Sequence, residues 1–481
     1  MLDDLINERL KKLDEIKKAG LDPYPASAAR TLEIAEARKK FDELSASKKS
    51  VVLAGRLMSM RDQGNISFLD LADESGKIQI VFKKDILSKF DFWKDVLDIG
   101  DFVEAGGVLF KTQKGEESLE VHDFRMLTKS LRPIPSEWYG VQDIETRLRK
   151  RYLDLIANKE TRELFRKKAV FWQTIRNFMI RQGFLEVWTP VLENIPGGAD
   201  AEPFVTHHNA LDRDFYLRIS LELPLKRLLV GGYDKVFEIG RLFRNEGIDR
   251  EHLQEYDDME FYWGYADYKD GMKFVEKLFK AVVKNAVGSM ETEYEGAKIN
   301  WDGKWPKVDY FSAFKKEAGL DLNKVNEDAL RKKARDLGVA VDVTSGKGRL
   351  IDAIYKKTVR PKLIQPCFLV GHPVEISPLA KADSKNPKKV LRFQVVAGGT
   401  ELGNGFSELN DPIDQKERFQ AQMKLREAGD KEAQMLDEDF VEALEYGMPP
   451  AVGFGVSERL FAVLMNKPVR ETVIFPPMRL E

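Results

Sequence analysis

RLFRNEGIDREHLQEYDDMEFYWGYADY, residues Arg241 to Tyr268, is the stretch on which the reading of the fold turns. A β-like run, Lys235 to Phe243, leads into it; a charged segment follows, and the chain returns as Tyr256-Asp-Asp-Met-Glu-Phe-Tyr-Trp-Gly. Side chains alternate between the two faces of a strand. The returning strand therefore carries Tyr256, Asp258, Glu260 and Tyr262 on one face, and Met259, Phe261 and Trp263 on the other. The apolar face can pack on helices, which leaves carboxylates and tyrosines as the floor of a binding site.

From about residue 161 onward the pattern is mixed. A long helical run, TRELFRKKAVFWQTIRNFMIRQG, precedes a strand-like FLEVWTPVL, and helices are expected near 267–287, 351–360, 413–428 and 438–446. Strands that follow one another with hairpin returns predict an α+β domain, an antiparallel sheet with helices packed on it. Neither a GxxxxGK[ST] loop nor a strand-linked GxGxxG occurs.

Two further segments bear on the same floor. In Phe393 to Asp411, Asn404, Phe406 and Glu408 share one face at spacing two, while Glu401 falls out of that parity. Glu401 joins them only through a bulge, which Gly398, Gly399 or Gly403 would permit. The second, GFGVSERLFAVLMN, is a glycine-rich entry to a helix with Arg459 at its start. Polar residues on one face of a sheet ordinarily face water. Arginines, carboxylates and an aromatic converging on one floor instead suit a ligand with phosphates, a cation and a flat ring.

The N-terminal part reads differently. Residues 1–50 form a helical extension of two pieces split at Gly20-Leu-Asp-Pro-Tyr-Pro. Residues 51–130 hold five short strand runs with one helical segment, DILSKFDFWKDVL, between the third and fourth. That order predicts a closed barrel of OB type, a fold that binds single-stranded nucleic acid on aromatic platforms. A connector at 131–160, marked by Pro133 and Pro135, leads to the larger domain at 161–481. Its RLRKRY cluster is either a solvated helix face or a contact for nucleic-acid backbone.

Composition narrows the classes. With 77 basic against 79 acidic side chains there is no overall positive field, so a nucleic-acid partner must be met by local patches. The single cysteine, Cys367, rules out an intramolecular disulfide and a cysteine-rich zinc site. The pair His207-His208 points to opposite faces of an extended chain and reads as surface or packing. The first twenty residues have no apolar signal core, and no run of about 18 apolar residues could span a bilayer. The expected compartment is the cytoplasm.

At these residues the sequence resembles the class II aminoacyl-tRNA synthetases, and within them the lysyl branch. The likeness runs from AGRLMSMRDQGNISFLDL in the barrel through GFLEVWTPVL, IPGGADAEPFVTHH, FRNEGIDREH and MEFYWGYADY to VEISPLAK, ELGNGFSELNDP and PVRETVIFPPMR. It implies an antiparallel catalytic sheet of six or seven strands, an OB anticodon-binding domain, and a homodimer joined through the 161–182 helix and the strand at Pro190. It also implies a two-step reaction: ATP and L-lysine give lysyl-adenylate, and tRNA(Lys) accepts the lysyl group at its 3′ end.

Carried over position by position, the resemblance gives Arg244 the α-phosphate and the lysine carboxylate. Glu246 takes the adenine amino group, His252 the distal phosphates, and Tyr256 and Arg459 the two faces of the adenine; Arg244 and Arg459 are the catalytic pair. Gly198 and Glu222 meet the α-ammonium and Asn404 the carboxylate, while Glu260, Tyr262 and Glu408 hold the ε-ammonium beside Phe406. Glu401 and Gln394 stand at the Mg²⁺ positions, and Arg56, Phe68 and Gln79 at the anticodon-reading positions.

Three residues depart from the family pattern. Gln394 stands in place of a glutamate, Leu253 in place of an asparagine, and one extra residue separates Gly455 from Arg459. These departures keep open a tRNA-binding relative with a weakened site, beside a transferase of lysine to protein.

Overall fold

The computed structural model describes residues 2–134, 143–247, 252–339 and 346–479. The connector around Pro135 and the centre of the charged turn, 248–251, lie outside the described residues. The chain divides into two compact units, Met1–Asn158 and Lys159–Glu481.

In the first unit, β1 (Val51–Gln63), β2 (Ile66–Ala72), β3 (Lys77–Lys83), β4 (Phe102–Lys111) and β5 (Glu117–Thr128) close a barrel in the order β1-β2-β3-β5-β4. Strict alternation builds it: Leu53, Leu57, Leu69, Leu71, Ile78 and Ile80 point inward. The helix between β3 and β4, Phe90–Val96, inserts Trp93 edge-on to Phe124 at 4.9 Å. Gly107 sits at a bulge where a Cβ would fall 1.8 Å from the Glu120 carbonyl oxygen, so only glycine lets β4 and β5 close there.

The N-terminal segment is part of the same core. Ile16, Ile34, Ala37, Phe41 and Leu44 pack with the barrel residues, and Arg9 donates to the carbonyls of Ile99, Ser130 and Arg132. Of the basic cluster, Arg147 and Arg151 both engage Asp154, at 2.8 and 2.7 Å, which removes two cations from any outward patch.

The second unit is built on an eight-stranded sheet. In chain order its strands are β6 (Leu185–Glu186), β7 (Lys235–Phe243), β8 (Glu255–Gly264), β9 (Lys307–Asp309), β10 (Cys367–Val370), β11 (Arg392–Ala397), β12 (Thr400–Ser407) and β13 (Ala451–Ser457). Across the sheet they run β9-β10-β11-β12-β13-β8-β7-β6. The six central strands are antiparallel, and each edge adds a short parallel strand, giving a wider sheet than the expected six or seven.

One face of the sheet, carrying Met259, Phe261, Val395 and Phe454, packs on the helices Lys159–Arg181 and Tyr268–Val287. The expected strand over residues 184–192 is broken. It pairs only at Leu185–Glu186 and Leu192–Glu193, and Pro190, which has no N–H to offer a ladder, lies exposed between the two pieces. Among the described residues no helix is long and apolar enough to cross a membrane.

Candidate active site

Register sets the floor of the site. β8 runs between β7 and β13, with Glu260 opposite Glu238 on one side and Gly455 on the other. Tyr256, Asp258, Glu260 and Tyr262 all line a cavity of about 320 Å³ on the face away from the packed helices. A Cβ at Gly455 would come within 3.3 Å of Glu260 Cγ. Glycine thus thins β13 where the acidic floor rises.

One end of the cavity is built from arginine and tyrosine. Arg244 leaves β7 with its backbone N–H donating to the Gln254 carbonyl at 2.8 Å, and its guanidinium lies 5.4 Å from the centre of the Tyr256 ring. Its Nε is buried without a hydrogen-bond partner among the described residues. Glu246, His252 and Leu253 line the same end. Leu253 packs with Ala462 and Val469, so it supports the wall with apolar contacts.

The extra residue before Arg459 does not displace it. Gly453, Gly455, Ser457 and Arg459 all line the cavity. The Arg459 guanidinium donates to the Glu401 carbonyl oxygen at 3.4 Å. Glu458, the residue that turns the chain into the helix, also borders the cavity, and its carboxylate is ion-paired with Lys168.

The other end is acidic and tightly organised. Glu260 Oε1 accepts from Ser220 Oγ and from the Leu221 N–H, each at 2.8 Å, and its Oε2 accepts from the Tyr262 hydroxyl at 2.8 Å. Gly198 borders it at φ +86°, where a Cβ would stand 2.8 Å from Ser220 Oγ and 2.9 Å from Glu222 Cβ. Glu222 lines the cavity, and burial together with Glu260 pushes its carboxyl up to about 7 against the pull of Lys226.

Asn404 and Phe406 line the cavity from β12. Asn404 Oδ1 accepts from Arg392 Nε at 2.7 Å, which turns its amide nitrogen toward donation. Glu401 reaches the cavity through a bulge between its pair with Val396 and the pair of Gly403 with Val395. Gly398 and Gly399, at φ +60° and +71°, form the tight turn that returns β11 into β12.

Two expected members stand elsewhere. Glu408 does not line the cavity: its carboxylate is wholly buried and ion-paired through Oε2 with Lys226, with Oε1 beside Gly453 of the cavity wall. Lys226 also donates to Glu222 Oε1 at 2.5 Å, and its ammonium lies 5.4 Å from the Phe406 ring. Gln394 is buried against His372, away from the cavity, so Glu401 is the one residue of the expected Mg²⁺ pair on its wall.

Among the described residues no group of three or more His, Cys, Asp or Glu could hold a metal.

Sequence reasoning passed over Arg392 and Ser220, and placed Asp258 on the floor without giving it a role; all three are on the cavity wall. Asp258 is signalled by its parity with Glu260. Its Oδ1 is buried without a partner among the described residues, and burial plus the Glu260 charge hold its carboxyl well above the usual range.

On the barrel, Arg56, Phe68 and Gln79 share an outward face. Phe68 pairs across to Val81, Asp70 to Gln79, and Ala72 to Arg56. Phe68 is half-buried and lies outside the barrel core. Arg56 covers the Phe102 ring at 4.2 Å, and Gln79 Oε1 accepts from Ser118 Oγ at 3.0 Å.

Comparison with known proteins gives the same division of the chain. Residues 143–479 match the family described as tRNA synthetases class II (D, K and N), and residues 51–127 match the OB-fold nucleic acid binding domain. The lysine–tRNA ligase of Moorella thermoacetica is 46% identical, over 99% of this chain and 98% of its own. That of Carboxydothermus hydrogenoformans is also 46% identical with the same coverage, and that of Fervidobacterium nodosum is 43% identical over 100% of this chain and 95% of its own. With an antiparallel sheet bearing one cavity, arginine-lined at one end and acidic at the other, and an OB barrel ahead of it, the chain belongs to the class II tRNA synthetases.

Proposed function

We infer that the protein is a lysine–tRNA ligase: it condenses L-lysine with ATP to lysyl-adenylate and pyrophosphate, then transfers the lysyl group to the 3′ end of tRNA(Lys). The observation that carries this reading is Glu260, a buried carboxylate fixed by three donors at the end of the cavity opposite the Arg244–Tyr256 pair. A cavity so divided suits a nucleotide at one end and a cationic side chain at the other.

The substrates supply both nucleophiles, so no activated serine or cysteine is needed. A lysine carboxylate oxygen attacks the α-phosphorus, pyrophosphate leaves, and a ribose hydroxyl of the tRNA then attacks the lysyl carbonyl and displaces AMP. The protein positions the reactants and stabilises charge. Arg244 forks across the α-phosphate and the carboxylate; Tyr256 and Arg459 sandwich the adenine, with Glu246 at its amino group and His252 toward the distal phosphates. Glu260 and Tyr262 take the ε-ammonium, Glu222 and the Gly198 carbonyl the α-ammonium, and Asn404 donates to the carboxylate above Phe406. A Mg²⁺ bound on the phosphates would neutralise their charge, and Glu401 is the carboxylate placed to touch it. On the barrel, Phe68 stacks an anticodon base between Arg56 and Gln79.

The test is ATP–pyrophosphate exchange across the twenty amino acids. Exchange is expected with lysine alone. Exchange with another amino acid, or none at saturating Mg²⁺, overturns the assignment; the second result would leave a tRNA-binding relative.

We further propose a homodimer. Between Ile180 and Ile195 the chain exposes Ile180, Leu185, Trp188, Val191, Leu192 and Ile195, with Trp188 77% exposed. Apolar residues so concentrated mark an interaction surface. Trp188→Glu is expected to weaken self-association by about 100-fold or more, the cost of a charge in an aromatic anchor site. Sedimentation velocity at micromolar protein checks it, and an unchanged dimer rejects this face.

A further inference from the structure

Asp258 stands at the middle of the cavity floor, and the reaction as described above gives it no task. Residues two apart on a strand are spaced roughly 7 Å along it. Asp258 therefore lies midway between Tyr256 at the nucleotide end and Glu260 at the acidic end, on the same cavity wall. The bond that joins a nucleotide to an amino acid forms between those ends. Arg244, assigned to that junction, interacts electrostatically with both Tyr256 and Asp258.

The two carboxyls of this strand are held differently. Glu260 meets three donors, Ser220 Oγ, the Leu221 N–H and the Tyr262 hydroxyl, each at 2.8 Å. The Met259 N–H reaches the Asp258 carboxyl, but its Oδ1 is buried without a partner among the described residues. A Cβ at Gly455 would stand 3.7 Å from that Oδ1, so on the β13 side the atom faces a glycine. Asp258 pairs on its other side with Gly240 of β7, and the Arg218 guanidinium beside that glycine is taken by Glu238 at 2.6 Å. Ser457 lies opposite on β13, Glu458 after it is ion-paired with Lys168, and Arg459 attracts Asp258 as Arg244 does. On the same wall, Glu222 interacts with Glu260 and Arg392.

Two carboxyls that share a buried site do not both ionise readily. The one supplied with donors keeps the charge, and the other keeps its proton. Burial and the Glu260 charge hold the Asp258 carboxyl well above its usual range, against the pull of Arg244 and Arg459. Bound substrates reinforce this, because a phosphate and a carboxylate engage the two arginines and add negative charge of their own. An ionised Asp258 would repel both anions, whereas a neutral one offers them an O–H.

We propose that Asp258 is a further catalytic residue of the activation step: its carboxyl keeps its proton and donates a hydrogen bond, beside Arg244, to the junction where the lysine carboxylate meets the α-phosphate. This rests on the lysine-activating reading above.

Asp258→Asn and Asp258→Leu separate a neutral donor from an ion. The amide keeps the shape and an N–H to give, so kcat for lysine-dependent exchange should stay within about threefold of the parent. The leucine variant has no donor and should lower kcat at least about tenfold, the contribution of one hydrogen bond to a charged group. A carboxylate acting as a base, a metal ligand or an ammonium contact needs its charge, and would make Asp258→Asn as poor as Asp258→Leu. That result overturns the proposal, and so does a smaller loss in Asp258→Leu. Should the leucine variant not fold, Asp258→Ala, which adds no bulk, makes the same comparison.

The ratio of parent to Asp258→Asn kcat, followed from about pH 6 to about pH 9, reads the charge state. A group that acts with its proton on is lost as pH rises through its pKa, so the ratio should stay level or fall towards high pH; a ratio that rises with pH overturns the proposal. Exchange by the parent enzyme is the control. Its absence would fell the ligase assignment, whereas its presence with contrary variants fells the role of Asp258 only.

Discussion

Arg244→Ala is expected to lower lysine-dependent ATP–pyrophosphate exchange by about 1,000-fold or more, the largest single loss foreseen for this protein. A preorganised donor aimed at an oxyanion contributes about 3–4 kcal/mol to a transition state. A guanidinium that forks across two groups exceeds one such donor. The structure has this side chain in place before any ligand arrives: its backbone is tied to Gln254, its plane rests over Tyr256, and its Nε is buried with no partner among the described residues. A buried, unsatisfied N–H on a cation is costly to hold, so the fold keeps it for a partner that comes with the substrate.

Arg244→Lys distinguishes charge from shape. It retains the cation but loses the planar fork, and about 100-fold should still be lost. Exchange within tenfold of the parent for the alanine variant would mean that Arg244 does not face the reacting phosphorus. Lysine binding measured without ATP should change far less than exchange, because the larger part of the interaction forms as negative charge builds on the α-phosphate.

The sequence makes the floor of the site legible because strand parity is a local property. Tyr256, Asp258, Glu260 and Tyr262 line one cavity, and the bulge required by the parity of Glu401 lies between Glu401 and Gly403. Parity fails where a side chain turns after leaving its strand. Gln394 pairs across to Asn404, yet it is covered against His372 and does not reach the cavity. Parity also cannot report burial: Glu408 follows Asn404 and Phe406 at the same spacing, but its carboxylate is wholly buried against Lys226 and does not line the cavity.

Lys226 was hidden for another reason. In LELPLKRLLV a lysine reads as a solvated helix position, and only the Glu222 spacing hints otherwise. Its second partner, Glu408, is remote in sequence and stands just past the end of β12, where its Oε2 meets the Lys226 ammonium. The break at Pro190 was foreseeable from proline chemistry, yet the apolar alternation around it favoured a strand.

Glu260→Gln is the cleanest probe of what the acidic end recognises, because the structure lets the charge go without the geometry. The amide oxygen can keep the bonds from Ser220 Oγ and Leu221 N–H, and the amide nitrogen can face the Tyr262 hydroxyl, which rotates to accept. Only the negative charge is lost. A charge-assisted hydrogen bond in a desolvated site is worth about 3 kcal/mol, so the lysine KM should rise by about 100-fold. The ATP KM should move by less than about threefold, since the effect on a neighbouring ligand is indirect.

Discrimination should move the same way. Norleucine, which has no ε-ammonium, leaves Glu260 of the parent charged, buried and unpaired, and polar sites reject such analogues by large factors. In Glu260→Gln that penalty is gone, so the preference for lysine over norleucine should collapse by a similar factor. The measurement is the pair of kcat/KM values in the exchange assay. If the variant kept the parent's lysine KM and its rejection of norleucine, the ammonium would have to be held elsewhere, and the carboxylate at the end of β8 would be a buried acid kept only by its three donors.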